Sequence, residues 1–269
     1  MFDPLPQREW AWFLPRAAYP VSRQIALESK APFHPDVIRQ QVRAFSLPER
    51  VADWQPKLHH WAGLIASGRT DDFKETALLP GFLTDIFCGL LGYTGPTASA
   101  DTLTFSRERH VEVDGKVADA VLSRFQKDQE QFVAVLKGKG ARDPLDHPFA
   151  GRRMSAADQA YRYAINLPCD WIIVTSMRET RLYHKRSPQN ACECFETMRL
   201  AGDAALLKRF VFLLGADRVV PAQRSVHAGA QRPCSYQLGS RAVGIQNKKG
   251  ALLHFAADAA RRNLQALAR

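Results

Sequence analysis

The sequence has no run of eighteen or more apolar residues, the length typical of a helix that crosses a membrane. Residues 1–6 also lack the basic and apolar regions of a secretory signal peptide. We therefore expect a cytoplasmic protein with no membrane partner. Because 46% of the 269 residues are hydrophobic, the chain can bury a sizeable core, in one or two domains.

Cysteines are few and odd in number, at positions 88, 169, 192, 194 and 234. The pair Cys192-x-Cys194 has no second cysteine or histidine pair at the spacing of a tetrahedral zinc site. An odd count also does not suit a disulfide framework. We therefore expect ordinary thiols.

Acidic residues are scarce near the end of the chain. Residues 222–269 carry eight Lys or Arg and the single acid Asp258, a net charge of +7 out of the total of +10. The basic character of the protein is thus mostly a property of this tail. It does not indicate that the preceding residues bind nucleic acid.

Hydrophobic spacing divides the remaining chain into two regions. Residues 1–33 are rich in Pro and aromatic residues and predict an extended surface segment, whereas apolar spacing over 35–93 predicts helices. Short β-type runs begin after residue 102, and Asp114-Gly115 lies between two of them as a predicted hairpin turn. We predict three parts: an extended and helical region over 1–98, an α/β core over 99–221 and the tail over 222–269.

The α/β core is predicted to have a helix between two strands. Strands are predicted over 102–105, 111–113, 117–122, 132–136, 171–175 and 180–184, and a last amphipathic helix over 203–214. Ser155 and Asp158 form a capping-box-like start for the middle helix, and Pro168 follows its end. A helix of this length between strands is typical of a right-handed crossover in a mixed sheet.

Two of these strands carry the residue types that metal-dependent phosphodiester hydrolysis requires. This chemistry needs carboxylates that hold Mg²⁺, which activates water and neutralises developing charge, and a lysine nearby. Asp119 lies on one strand, and Lys137-Gly138-Lys139 ends the next. Residues two apart leave a strand on the same face, so Lys137 and Lys139 are expected to point to one side.

The helix that follows carries Gln159 and Tyr163, four residues apart and therefore on one helix face. This order resembles the PD-(D/E)xK nucleases of the RecB-type branch: an acid on one strand, a lysine at the end of the next strand, and then Gln-x-x-x-Tyr on a helix. Longer stretches resemble the N-terminal nuclease region of fused type II (IIG-like) restriction endonuclease-methyltransferases. They are KETAL (74–78), residues 81–93, VDGKVAD (113–119), FVAVLKGKG (132–140), DPLDHPFAGRRMS (143–155) and YAINLPCDWIIVTS (163–176).

The resemblance implies an α/β PD-(D/E)xK (restriction-endonuclease-like) core with a mixed central sheet, preceded by a helical region, and Mg²⁺ as cofactor. It implies that Asp119 is a metal ligand and Lys139 the catalytic lysine, with Gln159 and Tyr163 as their supports. Glu75, in the helical region, matches an acid that reaches the metal in related nucleases. A solvated helix carboxylate fits Glu75 equally well.

Position 137 departs from the family pattern, which has an acid where this chain has Lys137. The change removes an oxygen ligand and puts a cation where Mg²⁺ is expected, a difference of two charge units. We therefore expect metal binding to be weakened or lost unless another acid compensates. Loss of cleavage is the simplest consequence.

The resemblance also implies double-stranded DNA as a partner, and basic residues near the predicted site suit DNA phosphates. Arg152 and Arg153 come just before the helix, where backbone N–H groups favour an anion, and Arg142 follows the second strand. Solvated surface arginines are the alternative.

A complete fused enzyme has a methyltransferase domain, with a Gly-rich turn and an Asn-Pro-Pro-aromatic motif, and a target-recognition domain. The sequence contains neither motif, and the resemblance ends near Val220-Pro221. We interpret 222–269 as an aberrant basic tail, consistent with a shift of reading frame. A separate methyltransferase or recognition polypeptide is then a further expected partner.

The expected function is a truncated restriction-modification cleavage domain, by ancestry a Mg²⁺-dependent DNA endonuclease and impaired by Lys137. One alternative is a non-catalytic DNA-binding or protein-interaction module that kept the nuclease fold. Another is an unrelated α/β domain in which Asp119 and Lys139 form only a buried pair.

Overall fold

The structure is a computed structural model that describes most of the chain up to residue 220. The described residues are 32–98, 103–110, 117–126, 129–148, 151, 153–220, 245–246 and 252–253. The predicted extended segment at the N-terminus lies almost wholly outside them, as do the predicted turn at Asp114-Gly115 and Arg152. These stay predictions.

Helices occupy most of residues 35–90, as the apolar spacing predicts. They are α1 (Pro35–Ala44), α2 (Arg50–Ala66), a 3-10 helix (Arg69–Asp72), α3 (Glu75–Phe82) and a π-helix (Leu83–Leu90). In α2 the buried residues Leu58, Trp61 and Ile65 recur at three- and four-residue spacing. This spacing places them on one stripe of the helix, which faces the core.

The strands form one mixed sheet in the order β1-β2-β3-β4-β5-β6. They are β1 (Leu103–His110), β2 (Val117–Gln126), β3 (Gln129–Gly138), β4 (Trp171–Thr175), β5 (Glu179–His184) and β6 (Cys192–Glu196). Strands β3 and β4 are parallel, and every other neighbouring pair is antiparallel. The α/β class with a mixed sheet is thereby confirmed, as are the predicted strands within the described residues.

Helix α4 (Ala156–Asn166) connects the two parallel strands. Its start is the predicted capping box: the Asp158 N–H donates to Ser155 Oγ at 3.0 Å, and the Ser155 N–H donates to Asp158 Oδ2 at 3.2 Å. Each contact satisfies a backbone donor that the first turn of a helix leaves without an intrahelical partner. The local sequence therefore fixes where this crossover helix begins.

A β-bulge interrupts the pairing of β2 with β3. Leu122 pairs with Ala134, but the next residue, Ser123, pairs with Phe132, so Val133 is the extra residue on β3. Toward the other end of the two strands the pairing is regular, with Ala120 opposite Leu136.

Each face of the sheet is covered by its own hydrophobic cluster. One face, with Leu122, Leu136 and Ile173, packs against the N-terminal and C-terminal helices. The opposite face, with Val135 and Val174, packs against α4. The buried residues of α4 toward this face are mainly small, Ala156, Ala157, Ala160 and Ala164, and this permits a close approach of the helix to the strands.

The end of the described core contains one predicted and several unpredicted elements. Helix α6 (Ala204–Leu214) begins at Asp203, whose carboxylate accepts from the Ala205 and Leu206 N–H groups, and confirms the last predicted helix. Strand β6 and the helices α5 (Thr197–Gly202) and α7 (Ala216–Val219) were not predicted. Beyond residue 220 the two-residue strands β7 (Ile245–Gln246) and β8 (Leu252–Leu253) pair with each other.

The described cysteines, Cys88, Cys169, Cys192 and Cys194, are free thiols. Burial raises the pKa of Cys169 and of Cys192 to about 11, which keeps both groups protonated and unreactive near neutral pH. Among the described residues, no helix has the length and apolar character needed to span a membrane.

His184, at the end of β5, makes stability depend on pH. Its ring is buried, packs edge-on against Trp171 at a centroid distance of 5.0 Å and accepts a hydrogen bond from the Arg186 N–H. Burial lowers the pKa of His184 below 6.5, although Asp170 opposes the shift. As the pH falls below 6.5, the unfolded chain therefore binds a proton that the folded protein resists, and folding becomes less favourable.

We expect the free energy of unfolding, measured by urea titration between pH 7.5 and 5.5, to fall more steeply for the wild type than for His184→Gln. The exposed His147 provides the matched control, since His147→Gln should leave the slope unchanged. Parallel pH profiles for the wild type and His184→Gln would contradict this assignment.

Candidate functional site

The register of β2 and β3 brings Asp119 and Lys137 side by side. Ala120 pairs with Leu136 in this antiparallel ladder. Asp119, the residue before Ala120, therefore lies opposite Lys137, the residue after Leu136. Asp119 and Lys137 alternate with these two residues and share the face that packs against α4. The predicted placement of residues 119 and 137 on adjacent strands is thus what the fold produces.

The Asp119 carboxylate accepts three hydrogen bonds from two donor groups. Lys137 Nζ lies 2.8 Å from Oδ1 and 2.6 Å from Oδ2, and the Gly138 N–H donates to Oδ2 at 2.6 Å. The Lys137 side chain is only 10% exposed and that of Asp119 23% exposed. The two charges are therefore largely removed from water together, and each depends on the other.

The arrangement at Asp119 does not fit a divalent ion while Lys137 keeps its place. Mg²⁺ requires oxygen ligands at about 2.1 Å in an octahedral arrangement. Here the Lys137 ammonium contacts both carboxylate oxygens, and its positive charge would repel the Mg²⁺ ion beside it. Among the described residues, no group of three or more His, Cys, Asp or Glu side chains is placed to hold a metal ion.

Tyr163 of α4 lies in the hydrophobic cluster on the sheet face that also carries this ion pair, and Gln159 has a local partner. Tyr163 is 5% exposed; burial raises the pKa of its phenol, with Lys137 opposing the shift and Asp119 adding to it. Gln159 Nε2 donates to the Met154 carbonyl at 3.2 Å, so its amide braces the start of its own helix.

Lys139 and Glu75 lie where the chain leaves β3. The Lys139 N–H donates to the Thr175 carbonyl at 2.8 Å, which continues the pairing with β4, and its side chain is buried. A β-carbon on Gly140 would lie 3.7 Å from Glu75 Cβ, and one on Gly138 would overlap the Leu79 side chain. Helix α3 thus packs along this segment, and Glu75 is half-buried there.

The basic residues predicted to hold phosphates have different surroundings. The Arg142 side chain is 67% exposed, with Nε 3.6 Å from Asp71 Oδ2, and Arg153 is exposed before α4. The N-terminus of α4 already has a carboxylate, because Asp158 belongs to the capping box. The anion site expected there therefore has an internal occupant.

A buried salt bridge that the sequence does not reveal joins the helical region to the loop after β3. Arg178, between β4 and β5, donates to Asp71 Oδ1 at 2.5 Å and to the Ala141 carbonyl at 2.9 Å. The Asp71 side chain is only 9% exposed. Because 107 residues separate Asp71 from Arg178, no local spacing predicts this contact.

A second missed cluster lies on the α4 side of β5. The Arg181 side chain, 3% exposed, contacts Asp146 Oδ1 and Glu179 Oε1 at 2.6 Å each and the Tyr183 hydroxyl at 3.4 Å. Burial acts to lower the pKa of Arg181, but Glu179, Tyr183 and Asp146 reverse this effect and raise the pKa above its ordinary value. Glu179, Arg181 and Tyr183 alternate along the strand, which is the one local signal that they share a face.

Removal of Asp119 tests whether it serves mainly as the counter-ion of Lys137. We expect Asp119→Ala to lower the free energy of unfolding by about 3 kcal/mol, because a buried ammonium is left without its partner. In Asp119→Ala/Lys137→Met most of the loss should be recovered, since no charge remains. Urea denaturation of the full chain measures both effects.

The exposed pair Arg39–Asp36 provides the control, with side chains 62% and 71% exposed. Arg39→Ala should change stability by less than about 0.5 kcal/mol. If Asp119→Ala were as well tolerated as Arg39→Ala, the ion pair would not have the structural role assigned to it.

Comparisons with known proteins identify no relative of this chain. No family model matches the chain, and neither the curated proteins nor the solved structures contain a significant match. The function therefore has to be inferred from the residues of the site. They are the Asp119–Lys137 pair, Tyr163 on the same face of the sheet, and the Lys139 segment with Glu75 at its edge.

Proposed function

We propose that this chain is a cleavage-type domain of a restriction-modification system, by ancestry a Mg²⁺-dependent DNA endonuclease of the PD-(D/E)xK class, in which Lys137 impairs cleavage. On this proposal the domain retains the ability to bind double-stranded DNA. A separate methyltransferase or recognition polypeptide completes the system.

The order of the elements supports the proposal. Asp119 and Lys137 lie on adjacent antiparallel strands, Lys139 follows the second of them, and the helix after it packs Tyr163 on the same face of the sheet. This order of acid, lysine segment and helix supports a nuclease-type site. The half-buried Glu75, whose Cβ lies near Gly140, supports it further as a helical acid close to the lysine segment.

The observation that carries the proposal is the contact of Lys137 Nζ with both oxygens of Asp119. An acid at position 137 would place a second carboxylate beside the first, as a divalent ion requires. The lysine instead supplies a cation of its own. At about 4 Å and an effective dielectric constant near 20, each pair of unit charges interacts by roughly 4 kcal/mol, so exchanging an acid for a lysine opposes metal binding strongly.

The same contact favours a second candidate, a non-catalytic DNA-binding or protein-interaction module that kept the fold. A closed ion pair that stabilises the sheet needs neither metal nor substrate. DNA binding separates the possibilities: an impaired nuclease domain and a DNA-binding module both bind duplex DNA, whereas a module for protein partners does not.

We expect the purified full chain to bind duplex DNA in a fluorescence anisotropy titration and to leave it uncut in the presence of Mg²⁺ or Mn²⁺. The physical reason is that Lys137 puts a cation on the one carboxylate of the pair, and within the described residues no group of three or more His, Cys, Asp or Glu side chains could hold the metal instead. Robust cleavage by the wild type that Asp119→Ala abolishes would refute the proposed impairment.

Replacing Lys137 with glutamate should restore a pair of carboxylates and, with it, an affinity for divalent ions. We expect Mg²⁺ to raise the melting temperature of Lys137→Glu by several degrees and that of the wild type not at all, since binding to the folded state alone is stabilising. Lys137→Gln is the matched control because it removes the charge without supplying a ligand. Equal responses of the Glu and Gln variants would count against a latent metal site.

A further inference from the structure

Phe73 is an exposed aromatic side chain between the 3-10 helix and α3. Three large hydrophobic side chains are exposed in the described part of the chain, Leu47, Phe73 and Ile165, and Phe73, at 54%, is the aromatic one. A single exposed apolar residue is common on protein surfaces. The surroundings of Phe73 are therefore more informative than its exposure.

The residues on either side of Phe73 are fixed against the loop that leaves β3. Asp71 is held by Arg178 at 2.5 Å and lies 3.6 Å from Arg142 Nε. Glu75 approaches Gly140, with 3.7 Å between its Cβ and the position of a β-carbon on that glycine. Phe73 thus lies between two residues that contact the loop over 140–142, which directly follows Lys139.

Exposed cations lie on the segment that carries Phe73 and on the loop that this segment contacts. Arg69 and Lys74 are exposed on its own segment, and Arg142 is 67% exposed on the facing loop. The exposed acid of the segment is Asp72, while the charge of Asp71 is directed to Arg178. An aromatic ring flanked by cations is the combination with which proteins hold single-stranded nucleic acid.

We propose that Phe73 stacks on an unpaired base of a DNA strand whose phosphates contact Lys74 and Arg142. The inference rests on the proposed function, which places DNA at this site. An unpaired base is specified because only such a base offers an open face to the ring, whereas in a duplex the bases already stack on one another. The preferred ligand is therefore DNA in which a single-stranded segment adjoins a duplex.

Anisotropy titrations of the full chain with a blunt duplex and with the same duplex carrying a single-stranded tail test this inference. The wild type should prefer the tailed DNA by about 5- to 100-fold, the range expected for one stacked base. Phe73→Leu should reduce this preference to the part that phosphate contacts supply, because it keeps an apolar side chain without the ring. Phe73→Trp should retain it, and Leu47→Ala controls for loss of an exposed apolar residue on a segment that carries no site residue.

The predicted contact between Lys74 and a phosphate is tested by the salt dependence of DNA binding. Lys74→Gln should reduce the slope of log affinity against log salt by about 0.7, the value for one phosphate contact with a single strand. Lys57→Gln, at an exposed position of α2, removes the same charge elsewhere and should leave the slope unchanged.

The outcomes distinguish the two proposals. Equal affinity for tailed and blunt DNA, or a preference that is undiminished in Phe73→Leu, overturns the stacking role and leaves the proposed function intact. If the chain binds the tailed DNA but not the blunt duplex, the proposed duplex binding is refuted. A preference for the tail that depends on the aromatic ring would still support stacking in that case. An absence of binding to either DNA overturns both.

Discussion

A carboxylate and an ammonium that are buried together stabilise each other, because each would be costly to bury alone. The hairpin of β2 and β3 contains such a pair. Asp119 and Lys137 lie on neighbouring strands, and the Gly138 N–H completes the contacts of the carboxylate. A slip of one residue between the strands would turn one charge to the opposite, apolar face of the sheet. The ion pair and the two hydrophobic clusters therefore impose the same register.

The same segment is confined from both sides of the sheet. Helix α4 approaches with a face of alanines, and its Tyr163 packs in the hydrophobic cluster on the face that carries the charges. On the other side the Leu79 side chain occupies the space that a side chain at Gly138 would need. Packing on both faces therefore holds the strand that carries Lys137 in place.

What the sequence predicts well is local. The capping box of α4, the buried strand β4 and the helical spacing of α2 each follow from residues within a few positions of one another. The adjacency of Asp119 and Lys137 could also be predicted, because it follows from two neighbouring strands and their register. The mutual contact of the two side chains could not, since the family pattern has an acid at position 137.

The less predictable features depend on residues that are distant in sequence. Asp71 meets Arg178 across 107 positions, and neither residue carries a local signature. The expected anion site before α4 illustrates a second difficulty: Asp158 serves as a capping residue and, as a carboxylate, also repels the ligand that the helix terminus would otherwise attract. From the sequence alone, the start of α4 is therefore compatible both with an anion site and with a cap that excludes an anion.

The bulge at Val133 lies between the charged pair and the tip of the hairpin formed by β2 and β3. A bulge lets one strand carry an additional residue without shifting the pairing beyond it. Insertions or deletions near the tip can therefore be absorbed before they reach Asp119. The length of that tip is thus structurally uncoupled from the geometry at the opposite end of the strands.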